Sequence, residues 1–294
     1  MHVRARTEIG HNIAVMADAN PLLNGIASAR STQSIDIVLT SETHGAFVWG
    51  VLDRFLDEPG LSFGNITASG FGAIEAAVLA YGLALGGQRG ARTALTNFWR
   101  RVSHASMLTA NMANPLRSIL EQSIDITEIR KKGCPVKLSI LASNALTDAA
   151  KVFTSDQLSI DVILAAATIP FLFPAVEIDG ETYWGDSDRS TLPSVQSVEA
   201  DRLLIIAGRP SGFLTPCADR RPAANHGLLK STLIQYIFDS QYRPGAPLFT
   251  RPWIDWGELT DIRDRGRQRA EDWLLADQVL VGDRSALDSK SQYA

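Results

Sequence analysis

Residues 67–73, Thr-Ala-Ser-Gly-Phe-Gly-Ala, have the make-up of a sharp strand-to-helix turn. A nucleophile elbow presents one side chain at its tip and needs small residues two positions before and after it, because the strained turn leaves no space there. Ala68 and Gly72 meet that need if Gly70 is the tip. With Ser69 at the tip the flanks become Thr67 and Phe71, and Phe71 is bulky. Acyl transfer calls for an oxygen nucleophile, a base within hydrogen-bond reach and donors aimed at developing negative charge. Ser69 offers the oxygen, and Asp186, in the run Gly185-Asp186-Ser187-Asp188, offers the carboxylate.

Other chemistries find less support. Cys134 and Cys217 stand far apart and belong to no C-x-x-C pair. His104 and His226 have no carboxylate or cysteine at ligand spacing. Asp186 and Asp188 lack the spaced ligands and closing glutamate of a calcium loop. No metal and no cofactor is expected.

The 294 residues are 45% hydrophobic and 20% charged, which argues against extensive disorder and for one large core. A formal net charge of -4, with no run of five or more like charges, argues against a general nucleic-acid binder. Residues 73–85 are the most apolar stretch, but Glu75 and Gly82 interrupt them, so no membrane span is expected. The N-terminus shows no continuous apolar segment of a signal peptide. A cytoplasmic protein, at most peripheral to a membrane, is the expectation.

The elements that must position these residues follow from periodicity. Residues 1–34 lack a sustained pattern and read as a flexible leader. Residues 35–39 read as a strand and 44–57 as an amphipathic helix; 61–68 and 72–85 repeat that grammar. Two strand-helix units in succession predict a parallel sheet. Gly86-Gly87 ends the second helix, and 91–103 begins another. Short helices are predicted at 115–122 and 126–132, strands at 136–143 and 151–154, and a helix at 159–168 stopped by Pro170. Residues 176–184 read as a hairpin turning at Asp179-Gly180, and 202–207 as the last strand. Amphipathic helices are predicted near 226–240 and over 258–275.

The ordered string from about residue 35 to about 288 resembles the bacterial patatin-like phospholipases. The matching stretches include HGAFVWGVLDRFLDE, the elbow followed by EAAVLAYG, NPLRSILEQSIDITEIR and KVFTSDQLSIDVILAAATIPFLFPAVEIDGETYW. The resemblance implies an α/β, three-layer fold over residues 35–294, with a mostly parallel central sheet and helices on both faces. It also implies lipid acyl hydrolysis by a Ser-Asp dyad, without a catalytic histidine.

This sequence departs from the family pattern at each catalytic element. The family's Gly-x-Ser-x-Gly elbow places Gly70 where the serine belongs. Its Asp-Gly-Gly element after Tyr-Trp places Gly185 where the aspartate belongs. The glycine-rich oxyanion loop is reduced to Glu42, Thr43, His44 and Gly45, where a carboxylate would oppose a forming oxyanion. Losing a whole catalytic unit costs about a million-fold in turnover in a serine protease, and one oxyanion donor is worth about 3 kcal/mol. The expected reading is a catalytically silent relative that binds a lipid or fatty-acyl ligand, with peripheral membrane contact and a protein partner as further expectations. The alternative is a weak acyl hydrolase with a shifted Ser69-Asp186 dyad. Phe71, Phe171, Phe173 and Trp184 are the expected pocket-lining residues, with core packing an equal explanation.

Overall fold

The computed structural model describes residues 33–41, 45–105, 116–170, 173–185, 202–208, 233–241 and 254–291. In chain order the elements are β1 (Gln33–Ser41), α1 (Gly45–Phe55), β2 (Leu61–Gly70), α2 (Gly72–His104), α3 (Leu116–Glu121), α4 (Ile126–Arg130) and β3 (Lys137–Asn144). They continue with β4 (Ala150–Thr154), α5 (Ile160–Ala167), β5 (Val176–Ile178), β6 (Glu181–Trp184), β7 (Arg202–Ala207), β8 (Leu233–Phe238) and α6 (Trp256–Ser291).

The strands form a single sheet in the order β5-β6-β3-β2-β1-β7-β8, with β4 also on β3. Strands β3, β2, β1, β7 and β8 run parallel, while β4 and β6 pair antiparallel with β3, and β5 with β6. This is the mixed α/β architecture expected, a mostly parallel central sheet with helices around it. Among the described residues, no helix is long and apolar enough to cross a membrane. The leader assigned to residues 1–34 lies, up to residue 32, outside the described residues.

The core forms where Ile35, Ile37 and Leu39 of β1, Ile66 and Ala68 of β2 and Leu204 and Ile206 of β7 meet the apolar faces of the helices. Apolar residues in β2 are spaced 61, 63, 66 and 68, which breaks the two-residue alternation of a strand. A bulge absorbs the extra residue: Ile35 lies beside Phe63, but Ile37 beside Ile66. Asp36 of β1, only 5% exposed, holds the bulge. Its carboxylate accepts hydrogen bonds from the Asn65 backbone N–H at 2.8 Å and the Asn65 side-chain amide at 2.9 Å.

Helix α2 is two helices separated by Gly86 and Gly87, the second of which has φ +58°. The halves fold into a hairpin so tight that a Cβ on Gly82 would lie 2.4 Å from the Ala91 Cα. Helices α1 and α6 meet with equal intimacy at Gly50 and Gly266. Charges at the rim reinforce this layer. Asp53 of α1 and Asp57 in the turn after it are shared between Arg92 of α2 and Arg267 of α6, and Arg54 pairs with Glu271.

One element differs in kind from the sequence expectation. The helix predicted over 226–240 is, in its described part, the strand β8, parallel to β7. Leu233, Ile234, Ile237 and Phe238 fit a helical stripe, but β-branched and aromatic residues beside an open parallel edge gain more as a strand. Asp239, 2% exposed at the end of β8, accepts from Arg265 of α6 at 3.0 Å and from the Gln241 N–H at 2.9 Å, which fixes the strand beneath the helix.

Gly50→Ala would place a methyl group 1.9 Å from the Arg263 carbonyl oxygen. Such overpacking should lower stability in urea denaturation by about 1–3 kcal/mol or more. Gly60→Ala meets nothing within 4 Å and should change it by less than about 0.5 kcal/mol.

Candidate active site

In open parallel sheets ligands bind beyond the carboxyl ends of the strands, where the strand order reverses. Here the reversal lies between β1 and β7, whose ends are joined by a hydrogen bond from the Gly208 N–H to the Thr40 carbonyl at 3.1 Å. The adjoining turn, from β2 into α2, is the elbow. Gly70 occupies its tip with φ +60°, a conformation that costs an L-residue about 1–2 kcal/mol. Gly70 thus turns the chain from β2 into α2 with positive φ and presents no side chain.

Ser69 pairs with Thr40 across β1 and is half-buried. Ala68 points into the helix-covered core at 1% exposure, so strand alternation directs Ser69 to the opposite face. Asp186, its proposed partner, lies outside the described residues, as do Glu42, Thr43, His44 and Phe171.

Gly45, the last residue of the oxyanion-loop remnant, begins α1 and is buried against the elbow. A Cβ there would lie 2.4 Å from the Phe71 Cδ1 and 3.0 Å from the Trp99 Cζ2. Phe71 is itself 1% exposed and packs on Phe98 and Trp99, with ring centroids 6.2 and 5.5 Å away. Trp99 stacks on Trp49 at 6.0 Å. Phe71 is therefore a core residue linking the elbow to the helix layer. Phe173 and Trp184 are half-buried.

Gly185 follows β6 and donates its N–H to the Thr168 carbonyl at 2.8 Å, at the end of α5. A Cβ at this position would lie 2.4 Å from the Ala166 carbonyl oxygen and 2.8 Å from that of Thr168. The backbone of α5 thus occupies the space that an aspartate at 185 would need. Ser159 caps the start of this helix, accepting from the Val162 N–H at 3.1 Å.

Sequence reasoning treated Glu75 only as an interruption of an apolar stretch. The structure places it in the first turn of α2 with no exposure, and neither carboxylate oxygen has a hydrogen-bond partner among the described residues. The indole N–H groups of Trp49 and Trp99, in the same layer, are equally unpartnered among them. Burial pushes the Glu75 carboxyl well above the ordinary carboxylate range, with the Trp49 backbone amide acting in the opposite direction from outside hydrogen-bonding geometry. A lone charge inside a run such as GAIEAAVLAYG was the available signal.

Residues 43–186 match the family model described as patatin-like phospholipase. That segment of the chain is similar to the patatin-like phospholipases. Among solved structures it is similar to VipD from Legionella pneumophila, with a TM-score of 0.43, 10% identity, and coverage of 82% of this chain and 67% of that one. It is also similar to ExoU in the ExoU–SpcU complex of the Pseudomonas aeruginosa type III secretion system. There the TM-score is 0.41, the identity 13%, and coverage 82% of this chain and 51% of that one. No curated protein matches the sequence.

Two expectations follow from the buried groups. Because the folded state holds the Glu75 proton more tightly than the unfolded chain, the contribution of Glu75 to stability is greatest below the ordinary glutamate pKa of about 4.3 and falls as pH rises above it. Glu75→Gln removes this term, so in urea denaturation from pH 4 to pH 8 the variant should gain on the parent as pH rises; a constant difference would refute the assignment. Gly185→Asp should lower the thermal midpoint, and more than Gly133→Asp, since position 133 has nothing within 4 Å.

Proposed function

We propose that this patatin-like domain is a catalytically silent relative which keeps an acyl-binding cleft and acts by binding a lipid or fatty-acyl ligand. The observation that carries the reading is Gly70 at the tip of the elbow with φ +60°. The tip has the shape that presents a nucleophile and has no atom to attack with. The packing of Phe71 against Gly45 supports the same reading, because it brings side-chain bulk to the start of α1, where the family's oxyanion loop ends. We read the protein as cytoplasmic, touching a membrane peripherally or serving a protein partner, and free of any nucleic acid, metal or cofactor requirement.

One observation favours a second reading, a weak acyl hydrolase using Ser69 and Asp186. Gly185 has no room for a side chain, which makes Asp186 the first carboxylate after β6. A fluorophosphonate probe reports an activated serine oxygen and separates the two. The silent reading expects no labelled serine in folded protein, and no hydrolysis of short-chain p-nitrophenyl esters or phospholipid vesicles above that of Ser69→Ala. Labelling of Ser69, with turnover lost in Ser69→Ala, would establish the hydrolase instead.

A further inference from the structure

A groove of about 440 Å³ runs along the second half of α2, between α1 and α6, and it is rich in guanidinium groups. Arg89, Thr93, Thr96, Asn97 and Arg100 recur at helical spacing, so they line one wall; Arg263 of α6 and Asp53 of α1 belong to the others. The balance of charge here is uneven. Arg92 and Arg267 neutralise Asp53 and Asp57, two cations for two anions. Arg263 pairs with its neighbour Asp264 at 2.7 Å. Arg89 and Arg100 have no carboxylate partner among the described residues.

Two of the guanidiniums are held by aromatic faces. Arg100 lies 5.4 Å from the centre of the Trp256 ring and Arg263 lies 5.1 Å from that of Trp49. Stacking of this kind fixes the plane of a guanidinium while leaving its edge N–H donors available. The hydroxyls nearby are already committed: Thr93 donates to the Arg89 carbonyl at 3.0 Å and Thr96 to the Arg92 carbonyl at 2.8 Å. Donation into the groove falls to the arginines and to the Asn97 amide, which favours a strongly charged acceptor with several oxygens.

We propose that this groove is a binding site for a phosphate-bearing anion, either a soluble phosphate compound or the headgroup of an anionic lipid. It involves none of the elbow residues, so it stands or falls independently of the reading of the elbow. The volume exceeds that of a bare phosphate and leaves space for an attached group.

The full chain is titrated with inorganic pyrophosphate by calorimetry, and in parallel floated with phosphatidylcholine vesicles with and without phosphatidic acid. Binding with one site per chain is expected. Arg89→Gln with Arg100→Gln should weaken it at least about tenfold, since each removes a charge-assisted bond, in protein that remains folded despite the lost Arg100–Trp256 contact. Arg89→Gln alone, which disturbs no ring contact, should weaken it in the same direction. Arg101→Gln, exposed but outside the groove, should change it less than twofold (about the scale of a distant screened charge). Binding to pyrophosphate marks a soluble ligand, and binding only to vesicles containing phosphatidic acid marks a headgroup. Absence of both, full binding by the double variant, or an equal loss in Arg101→Gln would overturn the proposal.

Discussion

The helix layer depends on two residues that lack side chains. At Gly50 and Gly266 the backbones of α1 and α6 are so close that any Cβ would overlap main-chain carbonyl oxygens, at 1.9 and 2.1 Å, far inside van der Waals contact. Main chain cannot rotate aside as a side chain can, so the crossing admits one arrangement. It places the charged ends of α1 against Arg92 and Arg267, and it holds Trp49 between Trp99 and Trp256. Through Trp99 and Phe71 the same layer reaches the elbow. Helix α6, far beyond the turn in sequence, thereby helps define the surroundings of Gly70.

Much of this was legible in the sequence where a local rule decides. The Gly86-Gly87 pair breaks a long helical run, and the structure shows the break there. Asp179 and Gly180 both have positive φ, as a two-residue hairpin turn requires, and Ser159 caps the helix it precedes. What was not legible depends on neighbours distant in sequence. The strand β8 exists because β7 offers it an edge, and periodicity alone favoured a helix over the same residues. Arg267 and Asp57 are 210 positions apart, and nothing local pairs them.

The candidate site divides in the same way. Flanking residue size singled out Gly70 in the turn after β2, where the backbone takes φ +60°. For Gly185 the alignment identified a residue without a side chain but not what surrounds it. The carbonyls of Ala166 and Thr168 make the glycine a packing requirement, so its absence of a carboxylate is built into the neighbouring helix end. Glu75 was visible as a misplaced charge, while its complete burial, with no partner for its oxygens among the described residues, depends on how distant segments pack around it.

The Asp36–Asn65 clasp gives β2 its phase. Were the extra residue not accommodated at 64–65, an unbroken pleat running up from Phe63 would turn Ile66 and Ala68 to the wrong side and rotate Thr67 and Ser69 inward. A carboxylate near the bottom of the sheet therefore acts as the indexing pin for its top, selecting which of two neighbouring side chains turns outward and which disappears beneath the helices.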